Sequence, residues 1–181
     1  QPCSTPANDA CSTALPVTAP GTFLLSTVAA KKDYATSCSV TNPSAARDIV
    51  LAITVPAGGA RDVVLRAVTS APVNEVAIAI QSACGDAGSE RGCGHVGGVT
   101  DARAIARSVA GGSTVYAVVT TQTESAVDVT VEMPPGTPPP GNETCAAPEV
   151  IAKDPAGDDV FPPFTGRLID ARVDVPSACA A

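Results

Sequence analysis

The tetrapeptide Asn8-Asp9-Ala10-Cys11 returns later in the chain as Asn142-Glu143-Thr144-Cys145. Each copy opens a segment that closes on a second cysteine, Cys38 in the first and Cys179 in the second. Counted back from that second cysteine, Asp33 and Asp174 share one offset, and Phe23 and Phe164 share another. Agreement at ordered positions marks an internal repeat, which fixes domain starts before any strand is assigned. Of the two copies, only the first is followed by enough sequence here to make a domain.

Composition decides what kind of domain it is. The 181 residues are 45% apolar, enough for a core, but aromatics make up only 3% and there is no Trp. The apolar residues are mostly Ala and Val. Val, Ile and Thr suit a pleated, half-buried surface, so the bias is toward strands. Seventeen Pro and fifteen Gly supply turns between them. The net charge of -7 and the absence of a basic stripe argue against nucleic acid as a partner. Acidity of this size reads most simply as solubility.

Short apolar runs recur between turn signals at the spacing of an all-β sandwich. Phe23 to Val28 is the first run. Asp48 to Val55 is the clearest, with Ile49, Leu51, Ile53 and Val55 on one face. Arg61 to Val68 follows, Val63 and Leu65 inward, Asp62 and Arg66 outward. The short gap predicts that these two strands are hairpin neighbours. Val76, Ile78 and Ile80 share a buried face in the next strand, with Glu75 and Gln81 off it. Cys84 to Cys93 encloses a polar, Gly-rich loop, and Gly94 to Gly98 reads as more irregular chain around His95. Asp101 to Val109 fits both strand and helix periods and is assigned as strand from its neighbours. Thr114 to Thr120 and the Val127, Val129, Val131 run complete the set.

The expected organisation is a lead over residues 1–7, a β-sandwich over 8–133, a Pro-rich linker over 134–141 and an incomplete second repeat over 142–181. Proline at the density of Met133 to Gly141 favours a stiff, extended spacer. No run of transmembrane length and no signal peptide occurs, so the chain reads as a mature one starting at Gln1.

Several of these features, in order, resemble one family. They are Asn-Asp-x-Cys, then Asp33-Tyr34 before Cys38, then Asp48-Ile49-Val50 opening a strand that ends in Val55-Pro56-Ala57. A cysteine pair around a polar loop follows, and Ala110-Gly111-Gly112-Ser113-Thr114-Val115-Tyr116 lies near the end. The chain is similar in this to the bacterial pre-peptidase C-terminal domain, over about Asn8 to Met133, with a restart at Asn142. The resemblance implies a jelly-roll-like β-sandwich with an accessory, non-catalytic role. It also implies a tandem module of large secreted and surface proteins, including those of myxobacteria. Leu51, where an aromatic is usual, and Tyr116, where paired aromatics are common, depart from the pattern.

Seven cysteines without a Cys-x-x-Cys pair, beside one histidine, do not offer the closely spaced ligands of a zinc site. Disulfides in an oxidising compartment are the alternative, so the protein reads as secreted or cell-surface. The repeat predicts Cys11–Cys38 and Cys145–Cys179, because each pair holds the same place in its copy, and leaves Cys84–Cys93 as a local pair. Cys3 is left over, as a link to another chain or removed segment, as a free thiol on the lead, or as the partner in a pairing other than this one.

Asp33 and Asp48 are the candidate calcium ligands, since a hard cation wants several oxygens, and Asp33 recurs as Asp174. No dense acidic loop accompanies them, and a turn-capping carboxylate is the plainer reading. His95 has Ser89 and Asp86 nearby in sequence, but no nucleophile motif surrounds them, and a plain loop histidine is favoured. Asn142-Glu143-Thr144 fits a glycosylation sequon and is read as part of the repeat. No catalytic residue is assigned, and calcium is the one cofactor considered.

The functional expectation is a non-enzymatic extracellular structural or adhesion module, a subunit of a surface fibre or polymer. Residues 142–181 read in three ways, as the start of a further module in a longer tandem array, as a segment packed back on the first domain, or as an assembly element joining copies of the protein or neighbouring repeats by strand addition, the last being the reading taken. The alternative is a calcium- or substrate-binding accessory domain of a secreted hydrolase. A hydrolase in its own right is the least favoured class.

Overall fold

Alternating inward apolar residues give nine strands in a computed structural model that describes residues 4–70, 74–95 and 101–138. They are β1 (Leu15–Val17), β2 (Gly21–Ser26), β3 (Arg47–Thr54), β4 (Arg61–Thr69), β5 (Val76–Gln81), β6 (Glu90–His95), β7 (Asp101–Val109), β8 (Thr114–Thr121) and β9 (Ala126–Glu132). The chain divides into two compact units, Gln1–Gly136 and Thr137–Ala181, and all nine strands belong to the first.

One sheet has the order β1-β3-β8-β5-β6 and the other β2-β9-β4-β7. The antiparallel pairs β2–β9, β3–β8, β4–β7 and β5–β6 show how this order arises. A single long hairpin, folded at the β5–β6 loop, is rolled up so that its rungs fall alternately in the two sheets. Contacts β4–β9 and β5–β8 close the roll. This is the jelly-roll arrangement, with β1 added parallel to the edge of β3. The all-β, jelly-roll-like sandwich expected from the sequence is the fold observed.

The inner faces meet in one core. Ile49, Leu51 and Ile53 of β3, Val63 and Leu65 of β4, and Ile78 and Ile80 of β5 are among its fully buried members. Burying such a side chain contributes roughly 1.5–3 kcal/mol. Ala102, Ala104 and Ala106 put the inward face of β7 into the same core, which settles its helix-or-strand ambiguity.

Two expectations fail for identifiable reasons. The strands β3 and β4 are not hairpin neighbours, because both edges of β3 are already occupied by β1 and β8. The turn through Pro56-Ala57-Gly58-Gly59 instead crosses between sheets. Glu90–His95 is a strand rather than irregular chain. Its glycines conceal it in the sequence, and the fold requires them. A Cβ on Gly92 would collide with the carbonyl of Ile105, and one on Gly94 with that of Arg103. Only a strand with glycine on that face can lie against the backbone of β7, where the two sheets approach at one side of the sandwich.

The stretch expected to be linker from Pro134 begins inside the ladder. Asp62 N donates to the Pro134 carbonyl, Gly136 N donates to the Ala60 carbonyl, and Pro135 forms a bridge with Arg61. Proline lacks an N–H, but these bonds ask only a carbonyl of Pro134 and an N–H of Gly136. The lead residue Cys3 and residues 139–181 lie outside the described residues.

Candidate functional site: the clamped outer face

The outer face of the five-stranded sheet carries the residues singled out for chemistry. Register places Asp48, Thr120, Ala77 and His95 in one row across β3, β8, β5 and β6. Val50, Val118, Ala79 and Cys93 form the next row. Paired residues point to the same side of a sheet. Asp48 and His95 are therefore on one face but three strand spacings apart, about 14 Å.

Most of this face is not open to solvent. The long connection between β2 and β3 passes over it, and Val40 and Ala46 pack on Ala77 in a second small core joined by Cys38. That is why Ala77, Ala79 and Gln81 are buried although they point away from the main core.

The connection has few backbone partners of its own, and buried or half-buried N–H groups need acceptors. Side-chain carboxylates supply them in series. Glu124 accepts from Ala29 N (3.0 Å), Asp9 from Lys31 N (2.8 Å), Asp48 from Asp33 N (3.1 Å) and Tyr34 N (3.2 Å), and Glu75 from Thr41 N (2.7 Å). Glu90 accepts from both Ser37 N, at 3.1 Å, and the Ser37 hydroxyl. Gln81 reaches from beneath, donating to the Ala35 carbonyl (3.4 Å) and accepting from Gly85 N (2.9 Å).

Burial pushes the Asp48 carboxyl up to about 6, against the opposing pull of the Tyr34 and Asp33 amides. Nearby Asp33 raises it further and Lys32 lowers it. The calcium candidates are thus brought together, but the contact between them is an amide of Asp33 on the carboxylate of Asp48. Asp33 itself is exposed. Among the described residues no group of three or more His, Cys, Asp and Glu side chains is arranged to hold a metal ion.

His95 Nε2 lies 3.3 Å from Glu75 Oε2, and Glu75 also accepts from the Thr41 hydroxyl at 2.9 Å. Ser89 and Asp86 are elsewhere. Ser89 Oγ is within hydrogen-bond distance of the Ala83 and Asp86 carbonyls, and Asp86 Oδ1 accepts from Gly88 N. The three residues form no triad.

One disulfide bolts the covering to β6 and a second ties the segment before β1 to the β5–β6 loop, and their pairing corrects the expected one. Cys11 bonds Cys84 and Cys38 bonds Cys93, in place of Cys11–Cys38 and Cys84–Cys93. The β5–β6 register explains why. Cys93 stands opposite Ala79, well back along the hairpin, whereas Cys84 lies beyond Gln81 in the loop. Two cysteines so placed cannot approach within the Cα separation a disulfide needs. The alternation Gly92-Cys93-Gly94 then aims Cys93 away from β7 and at the connection. Tyr34 completes the arrangement by accepting Cys11 N on its hydroxyl at 2.7 Å, its ring against Gly85. Gly85 has φ +79°, a conformation that suits glycine. Cys145 and Cys179 lie outside the described residues.

Another buried acid, away from this face, escapes sequence reasoning. Asp62, expected to face solvent, is buried at a bulge in the β4–β7 pairing. There it accepts from Arg107 Nη1 (2.7 Å) and Ser108 N (2.9 Å). Ser108 has φ +47° at this point. A bulge of this kind leaves no period-2 signal.

No helix among the described residues is long and apolar enough to cross a membrane. The chain has no significant match among family models, curated proteins or solved structures.

Proposed function

We propose that the protein is a non-enzymatic structural module of an extracellular assembly, serving as spacer, adhesion unit or fibre subunit on a bacterial surface. The observation that carries this reading is the use made of its polar side chains. The carboxylates of Asp9, Asp48 and Glu75 are engaged in holding backbone amides of the covering, the Cys38–Cys93 disulfide fastens that covering to β6, and Cys11–Cys84 ties the segment before β1 to the β5–β6 loop. Such fastening suits a domain that must keep its shape outside the cell, where disulfides persist. The resemblance to the pre-peptidase C-terminal domain supports the same class of role. The repeat beginning at Asn142 supports association with further copies, either of this protein or of neighbouring modules.

Sizing by light scattering and electron microscopy of the intact chain test the proposal. Elongated or polymeric particles are expected. A compact monomer in both measurements overturns it.

A further inference from the structure

The two sheets end at β1, β6, β2 and β7. An end strand offers unpaired N–H and C=O groups, and natural proteins blunt such edges with short strands, proline, charge, bulges or a covering element. All of these ends but β2 are blunted. The strand β1 is three residues long with Pro16 at its centre. The strands β6 and β7 lie against each other, with Gly92 and Gly94 on the carbonyls of Ile105 and Arg103. By contrast β2, Gly21–Ser26, runs six residues without a charge, a proline or a shift in its pairing with β9. It is also short of cover on both faces. Leu24 is 78% exposed on the outer face, and Phe23 and Leu25 are only partly buried against the core.

The direction of its free backbone groups follows from the ladder. Thr27 N donates to the Ser125 carbonyl, its partner in the continued β2–β9 register. Hydrogen bonding alternates along an antiparallel pair, so the N–H and C=O groups of Thr22, Leu24 and Ser26 point away from β9. The edge so formed is symmetric in chemical type about Leu24. One position away on either side stand Phe23 and Leu25, and two positions away the hydroxyl residues Thr22 and Ser26.

We infer that β2 is a pairing edge for a second copy of this chain, joined antiparallel about a two-fold axis at Leu24. Such a contact uses one patch twice, so the patch must match itself, and this one does. On the outer face Leu24 meets Leu24 of the second copy, and Thr22 meets Ser26. On the core side Phe23 comes beside Leu25, which extends both cores across the seam. The outward backbone groups of Thr22, Leu24 and Ser26 bond those of Ser26, Leu24 and Thr22 in the second copy. Sliding one copy by two residues sets Leu24 against Thr22 or Ser26 and loses the match. Asp128, beside Leu24 on β9, then stands three strand spacings from its counterpart, about 14 Å, beyond the screening length of about 8 Å. The pairing closes on itself and draws on neither the repeat nor the structural role proposed above.

The intact chain supplies the test. Sedimentation velocity over a concentration series should show a monomer–dimer equilibrium, and Leu24→Lys should raise its dissociation constant by about tenfold or more. Leu24 is exposed, so the variant should keep the wild-type circular dichroism and melting midpoint. In the wild type, amide exchange at Leu24 and Ser26 should slow as concentration rises. Mild oxidation should cross-link Leu24→Cys to itself, because such paired Cα atoms lie about 5.5 Å apart. It should join Thr22→Cys to Ser26→Cys, but not Thr22→Cys to itself. Exchange and cross-linking decide the matter if Leu24→Lys does not fold. A chain that is monomeric at every concentration, a dimer that Leu24→Lys leaves unchanged, or Leu24 and Ser26 amides equally protected at all concentrations overturns the inference. An elongated monomer overturns it while leaving the proposed structural role standing, so the two can fail apart.

Discussion

Asp48 shows what a single carboxylate can be made to do here and what that costs. It is buried at the start of β3 and grips the amides of Asp33 and Tyr34. Its carboxyl titrates near 6 in the fold, against an ordinary value of 3.8. The folded state therefore holds this proton more tightly than the unfolded state, and stability from this group falls as pH rises from about 4 to about 6. Asp48→Asn removes the effect. Urea unfolding of both proteins across that range should show the stability gap, wild type minus variant, shrinking toward high pH, and a constant gap contradicts the assignment. Glu75→Ala acts differently, stripping the Thr41 amide of its acceptor. A loss of about 1–3 kcal/mol is expected, with faster hydrogen exchange at Thr41 than at core amides such as those of Val50 and Leu51. None of this is legible from composition. The acidity that reads as solubility is partly a set of backbone acceptors, and which acid meets which amide depends on strand register.

At the level of elements, what the sequence reveals follows from periodicity. Strands β3, β5, β8 and β9, and β4 from Val63 onward, can be read directly, because one face of each packs into the core, whereas the bulge at Asp62 hides the start of β4. The strand β6 is hidden because its inward positions are Gly92 and Gly94, where the fold needs the absence of a side chain. Gly94→Ala should cost about 1–3 kcal/mol or more, since backbone of β7 cannot yield as a side chain would. Gly59→Ala, with nothing near its added methyl, should stay within about 0.5 kcal/mol, and urea unfolding of the two variants beside wild type checks both values. The hidden strand also misdirects the cysteines. Once Glu90–His95 is a strand, Cys84 and Cys93 cannot be neighbours across a small loop, and the repeat's paired positions no longer imply paired bonds. The double variant Cys38→Ser, Cys93→Ser should lose about 2–5 kcal/mol relative to the oxidised protein. Thermal unfolding with and without reductant checks this, and equal midpoints for the two proteins before reduction would contradict it.

Over the whole domain the repeat and the short apolar runs are enough to reach a sandwich, while the crossing of its two covalent bonds is not legible in them. That crossing has a mechanical consequence. The bonds Cys11–Cys84 and Cys38–Cys93 interleave along the chain. Tension applied between Cys11 and Gly136 passes directly from Cys11 to Cys84, so residues 12–83 are excluded from the load path. Even fully unravelled, the domain can lengthen to roughly 180 Å rather than about 440 Å, at up to about 3.5 Å per residue. Single-molecule pulling should record the short contour under oxidising conditions and the long one after reduction. The earliest bonds to feel the pull at the far end are those from Asp62 to Pro134 and from Gly136 to Ala60. The molecule is thus fitted with its own stop, a tether that lets it give a little under strain and then go no further.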